Sequence, residues 1–190
     1  MIKTYIIYLA SGNSKRFKQN KLLFPFQNKP LYRHALDPIL DHFDNVIVVS
    51  QYDEILSYAS NNGALSIKCL ESINGLSYSI KAAVMYLNSL EKPFNMIFMV
   101  ADQPYITIQT INKLKETKHT LATCAYKNRV GNPTLFHSSY IPELLQLKED
   151  QGGRKVLNKH LDQVEYIQVN DELEFYDIDY QEDIKKIDRK

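Results

Sequence analysis

The sequence predicts one α/β domain of three layers, with a mostly parallel sheet covered by helices on both faces. Two observations carry that expectation. The runs "NVIVVS" at 45–50 and "NMIFMVA" at 95–101 are apolar on both alternations, as strands buried on both faces must be. Runs of this kind alternate with segments of helical periodicity, the strand–helix–strand order that builds a parallel sheet.

Taken in order, segment 2–9 is an apolar, β-branched run and is expected as the first strand. The polar loop "ASGNSKRFKQNK" follows it. A helix is expected over 30–43, with Pro30 in its first turn, where a missing N–H does no harm. Next come a strand at 45–50, a helix over 53–61 with Asp53 as its N-cap, and a strand at 66–70. A helix over 76–90 and a strand at 95–100 complete the first half. The second half is less regular. It reads as a helix over 108–118, a strand at 121–126, and a turn with a short strand in "GNPTLFH". Helices over 140–148 and 154–161, a strand at 164–169 and a closing helix over 179–188 follow. There is no repeat, low-complexity tract or linker, so residues 1–190 are read as a single domain.

The 23 Lys+Arg against 22 Asp+Glu leave a formal charge of +1. That balance gives no electrostatic case for a nucleic acid or a membrane surface as partner. Cys69 and Cys124 are isolated in apolar runs without metal-ligand spacing, which fits a reducing compartment, so the cytoplasm is the expected location. No stretch approaches the length of a membrane span.

Ligands of open parallel sheets bind beyond the carboxyl ends of the strands. The segments that follow the first, third and fourth strands are therefore the informative ones: "ASGNSKRFKQNK", "ESINGLSYS" and "ADQPYIT". The first lacks both the dinucleotide and the P-loop glycine fingerprints. It is either a plain turn or an anion loop in which Ala10, Ser11 and Gly12 let backbone N–H groups approach, backed by Arg16 and Lys21. Asp102 either caps its turn or serves as an oxygen ligand to a hard cation such as Mg²⁺. Asp179 with Glu182 three residues on reads as a capping box, from which Asp177 is out of frame. Only a link between Asp179 and Asp102 would overturn that reading. Gly152, Gly153 and Arg154 are either a flexible turn or an anion-holding helix start, and Asn132 either serves its own turn or faces a ligand. The five histidines show no metal pairing and the serines no nucleophile elbow, which argues against hydrolase chemistry.

Together these segments resemble the MobA-like NTP transferases, the nucleotidyltransferase family that contains the molybdenum-cofactor guanylyl- and cytidylyltransferases. "LASGNSKRF" through "NKLL" is similar to the family's L-A-A-G-x-S-x-R-F-G-x-N-K-L-L. "NGLSYSI" resembles its second nucleotide loop and "VADQP" its metal-aspartate turn. "GNPTLF", "EDQGGRKVL" and "YDIDYQED" are similar to G-N-P-x-L-F, G-D-x-G-A-R-x-L-L and D-x-D-T-P-E-D. All six occur in the family order and span nearly the whole chain.

The resemblance implies a Rossmann-like nucleotidyltransferase fold of the nucleotide-diphospho-sugar transferase type. It implies that Leu9, Ala10, Ser11 and Gly12, with Gly75, Leu76, Ser77 and Ser79, hold base and ribose. Arg16 and Lys21 would neutralise the triphosphate and, with Asp102, form the catalytic set, while Asp102 and Asp179 would hold Mg²⁺. Asn132, Asp150, Gly152 and Arg154 would face the acceptor. The implied reaction is transfer of NMP from an NTP to a phosphorylated acceptor of molybdopterin type, with a molybdoenzyme as eventual recipient. Alternatives are a sugar or polyol phosphate acceptor, or a non-catalytic cofactor-binding accessory protein. Ser11 stands where the cytidylyl branch has alanine and the guanylyl branch glycine, which favours CTP over GTP. Further departures are Lys18 and Glu149 at family glycines, Gly153 at an alanine, and Tyr180-Gln181 at Thr-Pro.

Overall fold

The structure is a computed structural model and describes residues 2–14, 16–17, 19–180 and 182–183. Its first half runs β1 (Lys3–Leu9), the two-residue strands β2 (Pro25–Phe26) and β3 (Lys29–Pro30), α1 (Arg33–His42), β4 (Val46–Ser50), α2 (Asp53–Asn61), β5 (Leu65–Lys68), α3 (Leu76–Asn88) and β6 (Phe94–Val100). The second half runs α4 (Ile108–Glu116), β7 (Leu121–Tyr126), β8 (Arg129–His137), α5 (Ile141–Leu144), α6 (Arg154–Leu157) and β9 (Glu165–Gln168).

Seven strands form one sheet in the order β5-β4-β1-β6-β8-β7-β9. β4 and β6 flank β1 in parallel, β5 adds to β4 in parallel, and β9 to β7. Only β8 runs against its neighbours, β6 and β7. The doubly apolar strands explain the layering. In β1, Ile6 and Tyr8 join one buried cluster with Leu36 and Ile39 of α1, Ile55 of α2 and Leu114 of α4. The alternate residues Tyr5, Ile7 and Leu9 join a second cluster with Val84 and Leu87 of α3, Leu144 of α5 and Val156 of α6. The expected three layers are present. From β1 the chain builds outward through β4 to β5 and then returns to β6 on the other side of β1. That reversal opens a crevice beyond the carboxyl ends of β1 and β6.

Several local expectations are corrected. Pro30 does not open a helix: it pairs with Pro25 in the β2–β3 hairpin. The amides of Leu31 and Tyr32 then donate to Phe24 O (3.0 Å) and Leu22 O (3.1 Å), so α1 starts only at Arg33. Asp53 is not an N-cap but lies inside the first turn of α2 and pairs with Lys68 (2.7 Å). Gly131 and Asn132 do not form a turn, because β8 is a nine-residue strand that includes them beside a register shift in β7. The helix expected over 154–161 ends at Leu157, where Lys159 and His160 switch to bonds three residues back. The one over 140–148 reduces to α5 after a 3₁₀ turn at Ser138–Tyr140. Of the closing helix expected over 179–188, Glu182 and Asp183 are helical, and most of the rest lies outside the described residues. Among the described residues no helix is long and apolar enough to cross a membrane.

Candidate functional site

The loop after β1 is held open by its own carbonyls. Ser50 Oγ donates to Ala10 O (2.7 Å), Gln51 Nε2 to Ser11 O (2.8 Å), and Tyr52 OH to Gly12 O (2.9 Å). Asn13 receives Gln51 Nε2 on its side-chain oxygen (2.9 Å) and donates its amide to Ile73 O (2.8 Å). The loop is thereby tied to the end of β4 and to the turn before α3.

That turn has a tight neighbour. Gly75 sits at φ 137°, and a Cβ there would lie 2.3 Å from the carbonyl carbon and oxygen of Glu149. Ser77 N donates to the same Glu149 oxygen (3.0 Å), so the segment carrying Asp150 is seated on the start of α3. Glu149 itself stands at φ 50°, a left-handed position that suits the glycine of the family pattern.

Lys21 joins the distant carboxylates. Its Nζ donates to Asp102 Oδ2 (2.7 Å) and to Asp179 Oδ1 (2.9 Å). Its backbone is fixed by donation to Ser14 Oγ (2.9 Å). Ile178 N donates to Asp102 O (3.0 Å), which brings the segment around Asp179 to the end of β6. Arg16 reaches Asp179 at 3.8 Å from an exposed position. The capping-box reading fails in detail. Asp183, not Glu182, accepts from the amides of Asp179 and Tyr180, and the Asp179 carboxylate is turned to Lys21. Burial pushes the Lys21 pKa down, but the Asp102 charge and the bonds to Asp102 and Asp179 outweigh it and leave it above the ordinary lysine value.

The expected site residues fall into adjoining cavities. Leu9, Ser11, Gly12, Lys21, Gly75, Leu76, Ser79 and Asp102 line one cleft of about 230 Å³, together with Asp150. Arg16 and Asp179 line a neighbouring opening of about 370 Å³ that shares Gly12, Lys21, Asp102 and Asp150 with it. Asn132, Gly152 and Arg154 line a third cavity of about 640 Å³, which shares Leu9, Leu76 and Val100 with the first. Asp150 faces the first two cavities rather than the third. Ala10 and Ser77 are fully buried and line none of the three.

Sequence reasoning missed Gln51, Asn13, Gln103 and Asp177. Gln51 follows β4, the one early strand whose carboxyl end was passed over. Gln103 Nε2 donates to Asp177 Oδ1 (2.8 Å), and both line the third cavity. Although Asp177 is exposed as a residue, desolvation of its carboxyl group and the Asp102 charge raise its pKa, against the bond from Gln103. Both cysteines are buried free thiols, and desolvation pushes Cys124 to about 12.

The donor set suits a hard cation. Asp102 Oδ1 is buried with no partner among the described residues, beside the oxygens that Lys21 holds. No group of three or more His, Cys, Asp or Glu side chains among the described residues is placed to hold a metal. A pair of carboxylates completed by phosphate oxygens and water is a magnesium pattern.

Comparison with known proteins identifies the family. Residues 6–164 match the model of the MobA-like NTP transferase domain. The chain is 24% identical to the purine catabolism protein PucB of Bacillus subtilis, over 96% of this chain and 95% of that protein. It is 23% identical to a probable molybdenum cofactor guanylyltransferase of Thermococcus sibiricus, over 95% of each. Its fold is shared with Rv0371c of Mycobacterium tuberculosis in complex with manganese, at a TM-score of 0.78, 19% identity and 97% coverage of both chains.

Proposed function

The chain belongs to the MobA-like NTP transferase family of nucleotidyltransferases, and from that premise we propose that it transfers NMP from an NTP to a phosphorylated acceptor of molybdopterin type, releasing pyrophosphate. The observation that carries the proposal is the Lys21 ammonium bonded to both Asp102 and Asp179 at the mouth of the strand crevice. A plain turn after β1 would have no reason to gather those three residues.

In this reading an anionic oxygen of the acceptor phosphate attacks the α-phosphorus. The new O–P bond forms as the bond from the α-phosphorus to the bridging oxygen breaks, and the electron pair leaves with pyrophosphate. Lys21 and Arg16 stabilise charge on the leaving group, and the loop after β1 and the start of α3 align the nucleotide. No protein base is needed, because the attacking oxygen is already charged. Asp102 and Asp179 would hold a divalent cation, Mg²⁺ in our assignment, whose chemistry when bound is to offset phosphate charge. The manganese complex of the structural neighbour favours a divalent ion of this kind. Asn132, Gly152 and Arg154 would contact the acceptor in the larger cavity, whose size lies in the usual range for small-molecule sites. CTP is assigned over GTP because Ser11 brings a Cβ to the cleft wall where glycine would leave room.

A second reading keeps the chemistry and takes a sugar or polyol phosphate. The Asp177 carboxylate beside the Gln103 amide is a ready receiver of hydroxyl groups. One assay decides: protein and Mg²⁺ with each NTP and either molybdenum cofactor or a panel of sugar and polyol phosphates, read by pyrophosphate release. Release with cofactor supports the first reading and release only with the panel selects the second. Silence with every pair removes the transferase claim. Asp102→Ala is expected to lower kcat by about 100-fold or more while the domain stays folded.

A further inference from the structure

We infer that Lys21 is an internal counter-ion that holds Asp102 and Asp179 against a free divalent cation and releases them when a triphosphate takes up its ammonium, so that nucleotide and cation enter as one coupled step. The inference rests on the transferase reading and adds how its site is controlled.

The geometry sets the competition. One ammonium lies 2.7 Å from Asp102 Oδ2 and 2.9 Å from Asp179 Oδ1. A cation liganded by those same oxygens at the about 2.0–2.1 Å of Mg²⁺ claims the place that Nζ fills. Two positive charges in contact within a partly desolvated site repel strongly, so one must leave. Lys21 has little freedom to retreat: its amide is bonded to Ser14, its side chain is 8% exposed, and Leu22 beside it is buried in the core. Its outlet is the opening toward Gly12, Asn13 and Ser14, where, among the described residues, Asp150 is the one further carboxylate and Arg16 a second cation. A triphosphate in that opening offers the ammonium a far stronger anionic partner. Once Lys21 has turned to it, and Arg16 has exchanged its 3.8 Å contact with Asp179 for the same phosphates, both carboxylates, including the unpartnered Asp102 Oδ1, are free for the cation. Linkage then requires nucleotide to tighten cation binding and cation to tighten nucleotide binding by the same factor. The site stays closed to loose divalent ions and assembles only around its substrate.

The test measures Mn²⁺ bound to protein by water-proton relaxation, for the wild-type chain and Lys21→Met, each with and without the α,β-methylene analogues of CTP and GTP. In the wild type one of the analogues is expected to tighten Mn²⁺ binding by about tenfold or more. Lys21→Met is expected to bind Mn²⁺ alone about tenfold or more tighter than wild type does, and the further tightening by the analogue is expected to be smaller than in wild type. Wild-type protein that binds Mn²⁺ equally well with and without both analogues overturns the inference, as does a folded Lys21→Met that binds Mn²⁺ alone no tighter than wild type. If that variant does not fold, the wild-type titrations decide. Nucleotide-independent Mn²⁺ binding that Asp102→Asn abolishes sinks the lock but leaves the transferase site standing. No Mn²⁺ uptake under any condition sinks both.

Discussion

Asp37, far from the cleft, shows how a single residue contributes to the acid limit of this fold. It accepts from Lys29 Nζ (3.0 Å), from Arg33 Nε (3.3 Å) and Nη2 (3.2 Å), and from Tyr58 OH (2.9 Å). Burial pushes its pKa up, but the bonds from Lys29, Arg33 and Tyr58 outweigh this and hold it below the ordinary carboxylate value. A depressed pKa means that the folded chain binds this proton less tightly than the unfolded chain. The stabilisation is therefore complete above the unfolded value of about 3.9 and is lost as pH falls through the lower folded value. Asp37→Asn is expected to lower the unfolding free energy at pH 7 by about 1–3 kcal/mol and to flatten the acid limb of the stability curve. Urea titrations from pH 7 to pH 3 check this, and a variant with an unchanged acid limb would contradict it. The partnerships with Lys29 and Tyr58 were not visible in sequence, since Lys29 belongs to a hairpin and Tyr58 to another helix, whereas Arg33 lies four residues before Asp37 on the same helix. The same distance effect decided Asp179. Its local spacing read as a cap, and it is the long-range bond from Lys21 that turns its carboxylate to the cleft.

Among the elements, the start of α3 depends on one contact. Gly75 lies against the backbone of Glu149 so closely that any Cβ collides with main chain, which cannot step aside as a side chain would. Its φ of 137° adds strain for every other residue. Gly75→Ala is expected to lower stability by about 2 kcal/mol or more. It should weaken nucleotide binding further, because Gly75 and Leu76 themselves line the cleft assigned to the nucleotide. Parallel denaturant and nucleotide titrations measure both, and a variant within about 0.5 kcal/mol of wild type would refute the contact. Elements with strong apolar runs were legible: β4, β6, β7 and α2 lie within a residue of their expected bounds. The failures cluster where tertiary bonds override local signals. Pro30 looked like a helix opener but is held by a hairpin. β8 was shortened because Gly131-Asn132-Pro133 is turn chemistry in most settings, here carried as a strand. The 3₁₀ turn at Glu172–Phe175 went unseen, although Glu174 within it is buried and accepts from Thr107 N (3.1 Å) at the start of α4.

For the whole molecule, the order of the strands matters more than any one of them. Alternating strands and helices announced the parallel sheet, and the rule about carboxyl ends pointed to the rim where the cavities lie. The sequence did not announce that one strand reverses. Because β8 runs against β6, Phe98 faces Thr134 across the ladder and the amino-terminal half of β8 comes to the rim where β1 and β6 end. Asn128, Arg129, Val130, Gly131 and Asn132 line the large cavity there, and none of them lines the first cleft. That separation makes the rim modular. Exchanging residues 128–132 for those of a relative with another acceptor is expected to redirect acceptor choice in the pyrophosphate assay and leave the preferred base unchanged. A swap that alters base preference instead would contradict it. Viewed as heritable parts, a reversed strand would let a lineage explore new acceptors by drift in five neighbouring codons while the residues we assign to the triphosphate are inherited intact.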